Sequence, residues 1–376
     1  MRGIFGILIL AVYLVATIYV FVRIRQALPT LNSVRIVFYV AFVSVALSLF
    51  AALIFKNVLP SNLLKIMYLV GSTWLIILLY LTIVFFVIDV IYLINSHLHF
   101  LQDTVFSLNL RQRQVLTACI GVVIVLFIGY YKFNKPIIVE KNITIHKNFS
   151  LKNNLKIVVI SDLHLGSGIG KYRLKKYVEM INAQNPDIVL IAGDLLDSSS
   201  RPLFEQRMFE EIDNISAPLG VYMCFGNHEH ISNDQNSLDF VKKTKIVPLL
   251  DSIAQIGNLS IIGRKDYSTH NRLILSELTK NIPVKNIKIL LDHQPYNLIE
   301  AQQNAIDLQI SGHTHYGQFF PINLIVKNIF ELSHGYMQKL DTHYIVSSGL
   351  GLWGPHFRIG TQSEMWVVNV TFNENK

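Results

Sequence analysis

Four long apolar runs crowd the first 135 residues, at about 4–22, 36–55, 67–94 and 115–131. Each has the length that a helix rising about 1.5 Å per residue needs to cross a hydrocarbon core of about 30 Å. A chain built this way cannot fold as a single water-soluble globule, and the runs predict four transmembrane helices. A cleaved signal peptide would account for the first run but not for the other three. One acidic residue, Asp89, falls within them, towards the end of the third. With no partner visible in the sequence, it is expected at the headgroup level of the membrane.

From about residue 154 the pattern changes to short β-branched runs closed by turn signals: 155–160, 187–193, 220–226, 287–293 and 306–312. These read as buried strands. Between the first three lie KYRLKKYVEMINAQ and RPLFEQRMFEEIDN, apolar at helical spacing, so strands and helices alternate as in a sheet covered on both faces. LSIIGR, THYIVSSG and EMWVVNVTF add strand signal near the end and predict a second sheet. The expected organisation is a membrane domain over 1–135, a basic linker over 136–153 and an enzymatic domain over 154–376. Lys132, Lys135, Lys141, Lys147, Lys152 and Lys156 follow the fourth run in and around this linker and would favour anionic lipid headgroups. Net charge is +8, yet no basic stripe interleaved with aromatics accompanies it, so no nucleic-acid partner is expected. Two cysteines, Cys119 and Cys224, form neither a disulfide framework nor a thiolate metal site.

In open α/β sheets, ligands bind beyond the carboxyl ends of strands. There the sequence places SDLH, GDLLD, GNHEH, DHQP and SGHTH, one block after each of the five strands. Any one of them alone reads as a turn or a helix cap. Together they bring Asp162, His164, Asp194, Asn227, His293, His313 and His315 to one rim. His313 and His315, two apart on an extended segment, point the same way. Carboxylates, a carboxamide oxygen and imidazoles without thiolates suit Mn²⁺, Fe²⁺ or Zn²⁺. Seven groups exceed the needs of one tetrahedral ion, so two divalent ions are the economical reading. Such pairs activate water and neutralise a phosphoryl group during displacement.

The order Asp-x-His, Gly-Asp-x-x-Asp, Gly-Asn-His-Glu, a lone His, then Gly-His-x-His resembles the calcineurin-like metallophosphoesterase superfamily. All five blocks stand in order between residues 161 and 315. The resemblance implies a four-layer αββα sandwich, here preceded by the four transmembrane helices, with a dinuclear centre. It implies that Asp162, His164 and His315 hold one metal, that Asn227, His293 and His313 hold the other, and that Asp194 bridges both. His228 would protonate the leaving oxygen, with Asp197 holding its ring; an imidazole oriented by a carboxylate is suited to that task. GHTHYGQ running into Pro321, and SSGLGLWGPHFRIG followed by Glu364, resemble a membrane-anchored branch of the superfamily. Tyr316 stands where that branch often has glycine. Arg358 would offer a phosphate its fork of donors.

These features imply a membrane-anchored phosphoester or pyrophosphate hydrolase. Its substrate would be phosphorylated and lipid-linked, such as UDP-2,3-diacylglucosamine; a broad phosphomonoesterase or phosphodiesterase is the alternative within the class. A sensor or transporter carrying a degenerate binding module would have lost a ligand residue, and none is missing. Four spans put both termini on one side, and Arg23 and Arg25 after the first lean towards an extracytoplasmic catalytic domain.

Overall fold

A computed structural model describes residues 2–55, 58–99, 108–197 and 199–373. It divides into two compact units, Met1–Ile128 and Gly129–Lys376. Four helices dominate the first: α1 (Arg2–Ala27), α2 (Asn32–Ile54), α3 (Ser61–Leu98) and α4 (Leu108–Asn134), whose last residues belong to the second unit. All four are long and apolar enough to cross a membrane. Aromatics pack where they meet: Phe42 lies edge-on to Trp74 at 5.0 Å, in a cluster with Val20, Leu78, Leu81 and Phe85. Much of the remaining apolar surface, such as Ile7, Val15 and Val37, faces outward, which is the arrangement a lipid solvent requires. Asp89 does have partners. Its carboxylate lies 3.1 Å from the Arg23 guanidinium and accepts from the Tyr19 hydroxyl, so it joins α3 to α1 as a paired charge.

The second unit is built on two six-stranded sheets. The first is assembled from β1 (Ile137–Ile145), β2 (Asn154–Ile160), β3 (Ile188–Ala192), β4 (Val221–Cys224) and β5 (Ile246–Pro248), with the last strand of the chain inserted between β1 and β2. The second contains β6 (Ser252–Ile256), β7 (Leu259–Gly263), β8 (Ile287–Leu291), β9 (Leu308–Ser311), β10 (Gly335–Lys339) and β11 (Thr342–Val346), in the order β10-β11-β9-β8-β7-β6. Strand β12 (Glu364–Phe372) therefore lies in the first sheet, antiparallel to β2 and parallel to β1, and not in the second as its position in the chain suggested.

Because side chains alternate across a strand, each apolar run serves two cores. Leu155, Ile157 and Val159 of β2 and Ile188 and Leu190 of β3 meet Ile261, Ile289 and Ile310 of the other sheet. Val158, Ile160, Val189 and Ile191 point the opposite way, against α5 (Lys171–Asn182), α6 (Arg201–Glu205), α7 (Met208–Ile212) and, beyond α8 (Asn227–Ile231), α9 (Asp234–Val241). On the far side α10 (Leu275–Thr279) and α11 (Leu298–Gln303) cover Ile262, Leu290 and Tyr344. The result is a four-layer αββα sandwich. RPLFEQRMFEEIDN forms the two short helices α6 and α7 because Arg207 between them takes a left-handed φ of 51°. The last helix is α12 (Ile322–Ile329).

The stretch expected as a basic linker contains β1, whose nine residues pair with β12. Its lysines are engaged within the domain. Lys147 donates to Asp307 at 2.8 Å and to Asn286 O at 2.9 Å, Lys152 pairs with Asp187, and Lys141 lies over the Tyr336 ring. They do not form a free cationic patch for headgroups.

Candidate metal centre

The sandwich aims its strand ends at one place. Asp162 and His164 follow β2, Asp194 follows β3, Asn227 opens α8 after β4, His293 follows β8, and His313 and His315 follow β9. Five of these residues take left-handed backbone: Asp162 (φ 53°), His164 (47°), Asp194 (52°), His313 (69°) and His315 (47°). Non-glycine residues enter that region only at a cost of about 1–3 kcal/mol each, so the surrounding packing must impose it. Close approach also restricts the neighbours: a Cβ at Gly226 would lie 2.2 Å from Asp194 Oδ1, and one at Gly312 would lie 2.3 Å from Asp162 Oδ2.

Three groups of side chains lie close enough to share an ion: Asp162, His164 and His315; Asp194, His293 and His313; and His164, Asp194 and His228. Asp194 Oδ2 is 3.1 Å from His293 Nε2 and 3.7 Å from His164 Nε2, so it faces both halves of the cluster. Asn227 Oδ1 lies 2.8 Å from His313 Nδ1 and 3.2 Å from His293 Nε2. His315 Nε2 is 3.5 Å from Asp162 Oδ1. His293 is oriented from behind, its Nδ1 2.7 Å from Ala192 O.

The chemistry of this donor set fits metal ions. His164 Nδ1 and His315 Nδ1 are buried without a hydrogen-bond partner, while the Nε2 atoms of the same two rings face each other at 3.1 Å. Two facing imidazole nitrogens repel unless a proton or a cation stands between them. Burial lowers the pKa of His164 and of His313 to about 4 and that of His315 well below the ordinary imidazole value, leaving neutral rings with lone pairs to donate. Burial and the neighbouring Asp194 charge lift Asp162 to about 6, although its pull towards His293 acts the other way. For Asp194, the charge of His293 outweighs burial and holds the carboxyl below its usual range.

Residues 155–317 match the family model of calcineurin-like phosphoesterases. An uncharacterized metallophosphoesterase of Aquifex aeolicus is 31% identical over 224 residues, which cover 57% of this chain and 85% of the relative. The chain belongs to the metallophosphoesterase family. A Campylobacter jejuni member is 33% identical over 59% of this chain and 60% of its own length. The transmembrane protein with metallophosphoesterase domain of Bos taurus is 28% identical over 61% of this chain and 56% of its own length. The chain thus spans about three fifths of these last two relatives. Membership of the metallophosphoesterase family implies divalent metal ions, and the His/Asp cluster is able to hold them.

His228 stands at the edge of this metallophosphoesterase site. Its Nδ1 lies 3.0 Å from Asp197 O and 3.4 Å from Asp197 Oδ1, and its amide donates to Asp194 Oδ1 at 2.8 Å. Burial would lower its pKa, but the hydrogen bond to Asp197 and the Asp194 and Asp197 charges together raise it to about 9.

Arg358 is not the phosphate fork that the sequence suggested. It is fully buried, with Nη1 on His315 O (3.1 Å), Nη2 on Ser348 O (2.7 Å), Gly349 O (3.1 Å) and Gly351 O (2.5 Å), and Nε on Ser363 Oγ (3.3 Å). Its donors brace the loop behind His315.

Other contributors carried weaker signals. Glu229, buried and lifted to about 7 by burial and Asp194, accepts from the amides of Gly226 (2.7 Å), Leu196 (2.9 Å) and Asp194 (3.0 Å), and so ties two metal-site loops together. The Trp353 indole stands 6.3 Å from the His228 ring, and Tyr296 stands 6.3 Å from that of His313. Tyr316 stacks at 4.8 Å on His334, whose Nε2 is 3.0 Å from both Glu364 oxygens. The resemblance singled out Tyr316 and Glu364, and only nearness to motif blocks in the sequence pointed to Glu229, Tyr296 and His334.

Proposed function

We propose that this protein is a membrane-anchored hydrolase of phosphoester or pyrophosphate bonds that works with two divalent ions, Mn²⁺, Fe²⁺ or Zn²⁺. The observation that carries the reading is the pair of ligand groups, Asp162/His164/His315 and Asp194/His293/His313, meeting at Asp194 with Asn227 Oδ1 between two of the rings. Asp162, His164 and His315 would hold one ion, Asn227, His293 and His313 the other, and Asp194 both. When bound, such a pair supplies Lewis acidity: it makes water a nucleophile near neutral pH and offsets phosphoryl charge.

The chain's own part in the chemistry falls to His228. The hydrogen bond to Asp197 and the neighbouring carboxylate charges favour the protonated ring, and Asp197 occupies Nδ1, so Nε2 is the atom that can donate. As water oxygen adds to phosphorus and the bond to the leaving oxygen breaks, that proton passes to the leaving oxygen. The rival role, His228 as a ligand beside His164 and Asp194, has a specific observation behind it and is separated by metal content in the His228→Asn variant.

The four membrane helices favour an amphiphilic substrate carrying a diphosphate, with UDP-2,3-diacylglucosamine as the example to try first. Arg23 and Arg25, in the last turns of α1, favour an extracytoplasmic catalytic domain. The test is hydrolysis by the purified full-length protein, loaded with each metal in turn, of monoesters, diesters, nucleoside diphosphate esters and the lipid-linked diphosphate. Turnover lost on chelation and restored by metal supports the reading. Absence of metal-dependent turnover across the panel overturns it, and turnover confined to water-soluble esters assigns the broad phosphatase or phosphodiesterase role.

A further inference from the structure

Helix α12 turns its apolar face outward. Its eight residues, INLIVKNI, contain no acid and one cation, Lys327, and none of them is buried. Ile322, Ile325 and Ile329, spaced i, i+3 and i+7, share one face. Ile325 is 60% and Ile329 61% exposed, and Leu324 is 51% exposed beside them. A short amphipathic helix in water places such a stripe against the core. Contiguous exposed apolar surface marks an interaction site.

The position of this helix decides which kind of site it is. Gly317 lies so close under α12 that a Cβ there would come within 2.5 Å of Asn323 N, which fixes the helix to the turn that carries His315. Next to it the Gln318 side chain donates to Trp353 O (2.9 Å) and Pro355 O (3.2 Å), and Phe320 N donates to Ile359 O (2.7 Å). The backbone of Trp353 is thereby tied to the turn before α12, and its indole, 54% exposed, stands 6.3 Å from the His228 ring. Within the same unit, Arg358 N donates to Gly129 O at 2.9 Å, and Phe133 packs 5.3 Å from the His356 ring. The loop that carries Trp353 is thus bonded to the residues with which α4 ends, and β1 begins at Ile137, directly after that helix closes at Asn134.

We propose that α12, with Trp353 beside it, is a lipid-facing element that seats in the interfacial layer of the bilayer and opens the metal site towards phosphorylated headgroups. Bilayer lipid is the occupant that suits an apolar stripe with an aromatic flank, one lysine and no acid, in a chain that carries four membrane-length helices. Seating of the helix stands by itself; the statement about headgroups rests on the hydrolase reading.

The experiment uses the full-length protein in proteoliposomes. An environment-sensitive fluorophore is placed by Ile325→Cys in a Cys119→Ser background, Cys224 being buried. Doxyl-labelled lipid should quench it and aqueous iodide should spare it. Quenching by iodide with sparing by doxyl lipid overturns the proposal, and shielding from both assigns the face to a protein partner, a second copy included, and overturns it too. In parallel, the Ile325→Glu/Ile329→Glu variant should lose turnover of a phosphodiester displayed on vesicles while keeping turnover of a soluble nitrophenyl phosphodiester. Equal retention of both, or equal loss of both, goes against it. A wild-type protein inactive on either ester would sink the hydrolase reading and leave the quenching result to be judged independently.

Discussion

Asp194 is the carboxylate on which both halves of the cluster converge, 3.1 Å from His293 and 3.7 Å from His164. An Asn there keeps the shape but cannot balance the charge of two cations. Asp194→Asn should therefore lose both bound metal and activity, more completely than His164→Asn; a variant that retained two equivalents of metal and wild-type turnover would refute the bridging role. His228 is expected to behave differently. His228→Asn should keep its metals yet lose about 10²- to 10⁴-fold in rate on alkyl or nucleoside esters, the contribution typical of a positioned general acid. Nitrophenyl esters, whose leaving group departs with little help, should suffer far less. Loss of metal in this variant would instead make His228 a ligand. The candidate ligands were legible because each follows a strand and has a type that turns and caps do not explain in combination. Arg358 is the exception, because a guanidinium in a glycine-rich loop looks the same in sequence whether it faces a phosphate or four carbonyls.

Elements were read most accurately where one periodicity dominated. Strands β3, β4, β8 and β9 lie within the expected runs, β2 begins one residue before its run, and α5 lies within its helical stretch. RPLFEQRMFEEIDN carried the helical pattern and still broke at Arg207, whose left-handed φ separates α6 from α7, while Leu203, Met208 and Ile212 all bury in one core. The loop between β11 and β12 is held by Arg358 more than by any regular structure. Lysine, a single ammonium, cannot replace a planar fork of donors. Arg358→Lys should destabilise the catalytic unit by about 2–4 kcal/mol, since buried acceptors of charge-assisted bonds are left unmet. In a thermal melt of the full-length protein this should appear as a drop of several degrees, with KM for a small phosphoester little changed in the folded fraction. A raised KM with an unchanged melt would return Arg358 to phosphate binding.

At the scale of the whole molecule, the four apolar helices predict that alkaline carbonate leaves the full-length protein in the membrane pellet and that detergent releases it. Release by carbonate alone would refute the membrane reading. Asp89 shows how context revises a sequence expectation: taken as a lone interfacial acid, it is paired with Arg23 and Tyr19 from α1, 66 and 70 positions away in the chain. Likewise β1 and β12, from opposite ends of the second unit, lie side by side in the first sheet.

The membrane helices, the alternation of β and α and the types of the metal-site residues follow from sequence alone, because hydrophobic length, periodicity and turn chemistry are local properties of the chain. Decided only in three dimensions were the partners of Asp89, the strand β1 inside the expected linker, the sheet to which β12 belongs, the burial of Arg358 under His315 and Gly351, and the outward apolar face of α12. Each depends on which distant segments come to cover a side chain or a strand edge. An amphipathic stripe states that one face must leave water, and only the packing of the rest of the chain determines whether a protein core or another apolar phase receives it.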